Sequence, residues 1–165
     1  VTAAAAYIAP LLVDGDPVSA EALQEFFEAV EALDAATRVT AVRGACSASM
    51  NPSSASISQI TGASVSFSTT GLHGFGLVYA VFDVQNTAAG TDFQGYVYID
   101  GAANDALAIK YCGSADRQTL LHVIPTPLPP GAHTIDLRAS KSVNVGTLTV
   151  NTTHTTVTVL VVDLP

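Results

Sequence analysis

The chain has no tryptophan, one methionine and two cysteines among 165 residues, and only six of its residues are Lys or Arg. Each shortage excludes something. Binding to a phosphate backbone runs on clustered basic side chains, and docking on an anionic membrane needs them too, so neither fits this chain. Cys46 and Cys112 lie outside any C-x-x-C and cannot alone build a structural zinc site. Both sit among small or apolar residues and read as buried free thiols, with one disulfide as the alternative in an oxidising setting. No apolar run is long enough for a membrane helix. Charged residues make up 12% of the chain, half the usual share of about 25%. With a mean hydropathy of +0.40 the chain is not a disordered one, and its sparse charge suggests surface hidden by partner chains.

What charge there is sits unevenly. Residues 1–37 hold Asp14, Asp16, Glu21, Glu25, Glu28, Glu31 and Asp34 with no base, giving −7, while residues 38–165 hold seven acids and all six bases, giving −1. An acidic front piece is joined to a nearly neutral body. The opening residues 1–13 lack a basic start, contain Pro10 and run into Asp14-Gly15-Asp16-Pro17, so they read as an extended arm rather than a leader.

Asp16-Pro17 predicts a helix start, since Asp accepts backbone N–H groups at an N-cap and Pro at the first position has no donor to lose. The following residues, to Leu33, are good helix formers. Leu23, Phe26, Val30 and Leu33 are spaced 3, 4, 3, which is a seam of period 3.5, and Phe27 widens it on one side. Such a seam fits either a short bundle with copies of itself or an amphipathic helix lying on the body.

From residue 57 onward the pattern changes to period 2. Strands are expected over 57–60, 63–69, 75–84, 93–100, 107–112, 119–124, 133–139, 147–151 and 155–163, with Gly, Pro, Asn or Asp in nearly every gap. This predicts a mainly β protein: an antiparallel, jelly-roll-like β-sandwich preceded by an extended arm and one short α-helix. The chain divides into an arm and acidic helix (1–37), a linker (38–56) and a β-sandwich (57–165). Two strands do not alternate: residues 77–82 and 157–162 are apolar at nearly every position. Burial on both faces needs a cover, and another subunit is the natural one. The chain therefore reads as an obligate oligomer, with Val78, Ala80, Phe82, Val157, Val159, Leu160 and Val162 at the interface beside the seam.

The stretch Leu128-Pro129-Pro130-Gly131-Ala132-His133-Thr134-Ile135-Asp136-Leu137, with the final apolar strand 155–164, resembles the C-terminal domains of small minor structural and tail-associated proteins of actinobacterial tailed bacteriophages. Those domains look like trimeric jelly rolls of the tumour-necrosis-factor and C1q type. The front stretch Asp14-Gly15-Asp16-Pro17-Val18-Ser19-Ala20 is similar to the segment that leads into a short helix in such proteins. The resemblance covers about the first 35 and the last 75 residues. It implies a non-enzymatic virion protein assembled in the bacterial host cytoplasm: a homotrimer attached to other tail or capsid proteins through its arm, by Tyr7, Ile8, Leu11 and Leu12. Tail association is the first expectation. The alternatives are a trimeric head decoration protein, or a receptor- or carbohydrate-binding module at the tail tip. The loops for binding would be 87–93, 102–105 and 114–118, where only Phe93 offers an aromatic anchor.

No motif points to catalysis, a cofactor or a metal. His73, His122, His133 and His154 form no H-x-H or H-E-x-x-H pattern. Asp83, Asp92, Asp100 and Asp136 are scattered rather than paired across a cleft. The run from Asp100 to Asp105 is rich in oxygens, but Asp-Gly is first a hairpin signal. Ser-His-Asp sets can be picked from almost any sequence and carry no weight by themselves.

Overall fold

The structure, a computed structural model, describes residues 24–25, 27–29, 31–32, 38–54, 56–87, 91–104, 109–112, 117–142 and 146–164, with 109–112 described through the backbone only. Residues 24–25, 27–29 and 31–32 are helical, and Gln24 Nε2 donates to Glu28 Oε1 one turn on at 2.9 Å. They fall inside the expected helix. The seam residues Leu23, Phe26, Val30 and Leu33, and the arm residues Tyr7, Ile8, Leu11 and Leu12, lie outside the described residues.

In chain order the strands are β1 Arg38–Ala45, β2 Ser58–Thr69, β3 Gly74–Asn86, β4 Asp92–Ile99, β5 Ala102–Ala103, β6 Ile109–Cys112, β7 Arg117–Leu128, β8 Gly131–Lys141, β9 Leu148–Val150 and β10 Thr156–Asp163. One sheet runs β1-β10-β3-β7, with β9 beside the far end of β3; the other runs β2-β8-β4, with β5 and β6 sharing the last edge. The pairings nest: β1 with β10, β2 with β8, β3 with β7 and β4 with β6, all antiparallel. A long antiparallel ribbon rolled up on itself has that nesting, and the fold is a jelly-roll β-sandwich.

Alternation sets the core. Val78, Ala80, Phe82 and Val84 of β3 and Val157, Val159 and Val161 of β10 meet Ile60 and Val65 of β2, Phe93 and Val97 of β4, and Ile135 and Leu137 of β8. The Phe82 and Phe93 rings lie 5.3 Å apart at 60°, a tilted arrangement that aromatic pairs favour. Gly95 makes room for them, since a Cβ there would come within 2.9 Å of Phe93 Cε1 and 3.0 Å of Phe82 Cζ. This corrects the expected interface. Val78, Ala80, Phe82, Val157 and Val159 have no exposed surface in the single chain, so no second copy can touch them.

Three other expectations change. Residues 38–45 are not linker but a full edge strand paired along β10. The arginines at positions 38 and 43 hide the β pattern, and charge on an edge strand discourages pairing with other chains. The expected strands 57–60 and 63–69 are one strand, β2, whose register shifts between Gln59 and Ser64. Gly62, at φ +83°, makes the irregularity, in a place where a Cβ would come within 2.5 Å of the Ala45 carbonyl oxygen. β7 runs four residues past the expected end at 124, through Pro125 and Pro127. Proline is tolerated there because β7 is the outer strand of its sheet.

The registers sort the connections into two ends. The start of β1, the end of β10, the β2–β3 and β7–β8 connections and the turn after β4 share one end. The connections after β1, β3, β6, β8 and β9 share the other. The acidic front piece therefore joins the sandwich at the β7–β8 end. Because the Phe82 ring fills the centre of the core, Phe82→Ala is expected to cost about 3–5 kcal/mol, measured by urea denaturation. A loss under about 1 kcal/mol would show that the sheets close over the gap.

Candidate functional site

With one parity of β3 and β10 turned inward, the other parity makes the outer face of their sheet. Four rows cross it. Val39, Val162, Phe75 and Pro127 form the first, and Ala41, Leu160, Leu77 and Pro125 the second. Arg43, Thr158, Tyr79 and Val123 form the third, and Ala45, Thr156, Val81 and Leu121 the fourth. Val39 is 63% exposed, Phe75 42%, Leu121 62% and Val123 39%, while Leu77, Tyr79, Val81, Leu160 and Val162 are half-buried by their neighbours. At ordinary strand spacing and rise the face measures on the order of 500 Å². Arg43, Thr158 and Thr156 interrupt it, and its apolar part falls within the range of the largest apolar patch on a monomer, about 300–600 Å². Leu160 and Val162, expected at an interface, are on this face; Leu77, Tyr79, Val81, Leu121, Val123 and Val39 were not expected there.

The outer face of the second sheet has the opposite character. β2 presents Ser64 and Ser66, β8 presents Asp136, Arg138 and Ser140, and β4 presents Gln94, Tyr96 and Tyr98. These groups satisfy one another. Arg138 Nε donates to Asp136 Oδ1 at 2.7 Å, and its guanidinium lies 3.8 Å from the centre of the Tyr98 ring. Ser140 Oγ donates to Gln94 Oε1 at 2.9 Å and lies 3.2 Å from the Tyr96 hydroxyl. A sugar ring would need an open aromatic face; Arg138 already covers Tyr98, and Tyr96 is buried.

At the far end of the apolar face, beyond Val81, the carboxylate of Asp83 is buried against the sheet. Arg117 of β7 holds it through two bonds, Nε to Oδ1 at 2.7 Å and Nη2 to Oδ2. Thr155 Oγ1 accepts from the Asp83 N–H at 3.0 Å, and the Asn151 N–H donates to the Asp83 carbonyl at 2.8 Å. The hydrogen bond from Arg117 holds the carboxyl below the usual range against the opposing effect of burial.

At the β7–β8 end, His133 is buried and stands between two acceptors. Its Nδ1 lies 2.8 Å from Asp100 Oδ2, and its Nε2 lies 2.7 Å from the Pro129 carbonyl and 3.2 Å from Thr69 Oγ1. Asp-His-Thr in line has the order of a nucleophilic triad. Here Thr69 is itself buried and its hydroxyl donates to the Pro129 carbonyl at 2.7 Å, so the arrangement gives a substrate no approach to the oxygen. Asp100 Oδ1 also accepts from the Thr134 N–H at 2.7 Å, so both carboxylate oxygens of the first residue in the oxygen-rich run 100–105 are engaged in hydrogen bonds within the fold. The pair was invisible in the sequence because 33 residues separate the partners. Among the described residues no three His, Cys, Asp or Glu side chains come together as a metal site. Cys46 is a buried free thiol, its pKa pushed up by burial, and it donates to the Ala48 carbonyl at 3.2 Å; the Cys112 side chain lies outside the described residues.

The suspected binding loops do not gather in one place. The strand ends around 87–93 and 114–118 lie at one end of the sandwich, whereas 102–105 follows the Asp100-Gly101 turn at the other.

No protein-family model matches the chain, and no curated protein sequence matches it. Among solved structures it is similar to murine APRIL, at 12% identity and a TM-score of 0.48 over 74% of this chain and 98% of that one. It is also similar to the infectious bursal disease virus VP2 subviral particle protein, at 13% identity and a TM-score of 0.38 over 78% of this chain. A third likeness is to dimeric latent PorU from Porphyromonas gingivalis, at 10% identity and a TM-score of 0.46 over 78% of this chain. The chain spans 42% of the VP2 chain and 13% of PorU. These likenesses concern the fold, no phage family is identified, and the strand order is what defines the jelly roll.

The Asp83–Arg117 pair yields a pH prediction. A carboxyl whose folded pKa is lowered adds stability at neutral pH, and loses it as pH falls through the folded value. Arg117→Met removes that contribution. The variant is expected to be less stable near neutrality and to lose less further stability between about pH 5 and pH 2 than the parent chain. Urea denaturation across that range checks it, and parallel profiles would mean that Arg117 does not set the Asp83 titration.

Proposed function

We propose that the chain is a non-enzymatic structural subunit of a bacteriophage virion, self-associating through the outer face of the β1-β10-β3-β7 sheet. The observation that carries the association is the contrast between the two outer faces: Phe75, Leu77, Leu160 and Leu121 on one, a closed polar network on the other. Water favours covering the first and has no reason to leave the second. A homotrimer is the state that the tail-protein resemblance implies, and three copies would each place the front piece at the same end of the assembly. That end is opposite the connections after β3, β8 and β9, so attachment and the free end are separated along the sandwich. Residues 1–37 are then the link to other virion proteins, tail-associated in preference to head-bound. The sequence offers neither nucleic acid nor membrane a basic surface, and no cofactor enters this role.

Light scattering on the purified chain is expected to give three times the chain mass. Leu121→Asp places a charge on an exposed position of the apolar face, and it should yield monomers with unchanged β circular dichroism. A monomeric parent chain, or a variant that still associates fully, would overturn the interface. Peptides of this chain in purified phage particles test the virion assignment separately.

A further inference from the structure

The motif Leu128-Pro129-Pro130-Gly131-Ala132-His133 makes the β7–β8 turn, and Gly131 at φ +143° lets the chain reverse after two prolines. The imidazole of His133 then sits under that turn. The Asp100 carboxylate faces Nδ1, so Nδ1 must carry a proton; the Pro129 carbonyl faces Nε2 and accepts only, so Nε2 must carry one too. The geometry therefore describes an imidazolium. Around it, β2 supplies the Phe67 ring, 5.7 Å away, and Thr69; β7–β8 supplies Pro129; the turn after β4 supplies Asp100. Asp100 is the one titratable group that faces it from these elements, among the described residues. It sits at φ +51°, a left-handed position that Asp tolerates, and its carboxylate also accepts from the Thr134 N–H.

Removing one proton has a defined consequence. With Nδ1–H kept on Asp100, the bare Nε2 would face the Pro129 carbonyl, acceptor against acceptor. The Thr69 hydroxyl, 3.2 Å from Nε2, can turn from Pro129 and donate to the ring instead. The Pro129 carbonyl then loses both of its donors together.

We propose that His133 is a proton-operated clasp, closing the Pro129–Gly131 turn onto β2 and the Asp100 turn when the ring carries both protons and releasing that turn when it carries one. The clasp lies where the front piece joins. Thr69 is followed by Thr70, whose N–H donates to Asp163 Oδ2 at 2.9 Å, and Asp163 pairs in register with Arg38, the first residue of β1. Burial alone would lower the pKa of the ring, but the bonds to Asp100 and Pro129 and the Asp100 charge outweigh it and hold it above the ordinary value. The sign follows: with a raised folded pKa, the closed turn is favoured at lower pH and loses its advantage as pH rises through that value.

The clasp is contained in one chain, so its test does not depend on the oligomeric state. The full chain is titrated by NMR from about pH 5 to pH 9 through the His133 ring protons, with hydrogen exchange of amides 131–134 followed in parallel. The expected midpoint is above the ordinary histidine value of about 6.5. Between that value and the midpoint, the opening constant of the turn should rise by up to about tenfold per pH unit, after correction for intrinsic exchange. Thr69→Val removes the group that supports the singly protonated ring and should raise the midpoint further; His133→Gln should flatten the pH dependence of exchange. A parent midpoint at or below the ordinary value, an unmoved midpoint in Thr69→Val, or exchange at 131–134 indifferent to the His133 charge would each overturn the clasp.

Discussion

Strands β3 and β10 carry apolar side chains on both faces, and a single two-layer sandwich has only one inside. The inward set, led by Phe82, Val157 and Val159, fills the space against β2, β4 and β8. The outward set has no such partner among the described residues. Much else in the molecule is arranged around that imbalance: β3 and β10 take the middle of their sheet, where each is flanked by neighbours, and the charged or proline-bearing strands β1 and β7 take the edges. The edge residues limit sheet-to-sheet pairing through open backbone groups, which leaves the broad face as the surface for the proposed self-association.

Polar groups do the complementary work at the ends. Asp163 accepts from the Thr70 and Gly71 N–H groups, which tie the β2–β3 connection to the last strand, and those bonds hold its carboxyl low. Asp83, Asp100 and Asp136 each have a cationic or imidazole partner within the fold. Among the described residues no buried side-chain nitrogen or oxygen lacks a partner. Buried polar groups of this kind do little for net stability, but leaving one unpaired would cost more than any of them adds. They fix where connections sit rather than how strongly the sheets adhere.

The sequence made the strands and turns legible because side chains alternate with period 2 and Gly, Pro or Asp marks the reversals. It did not reveal which parity of β3 and β10 faces in, since both parities are apolar and period alone cannot choose between them. Val78 and Leu77 look equally fit for either side; only the sheet partner decides. β1 escaped notice because Arg38, Arg43 and Gly44 interrupt its pattern, although Val39, Thr40 and Val42 are good strand formers. The His133–Asp100–Thr69 cluster combines three separate elements, and no local spacing announces it. The seam from Leu23 to Leu33 stays a feature of the sequence, because those residues lie outside the described ones.

The nesting of the strands bears on synthesis. β1 pairs with β10, so of the sandwich strands described the first to be made must wait for the last before its edge is satisfied. At about 5–20 residues per second that wait lasts on the order of ten seconds, with Val39 and Val42 unpaired throughout. Contacts this far apart in sequence also make closure of the roll slow after release. The acidic stretch that precedes β1 leaves the ribosome ahead of it and stays attached to the longest-unpaired strand of the sandwich. Its uniform negative charge repels like segments on neighbouring nascent chains during that interval.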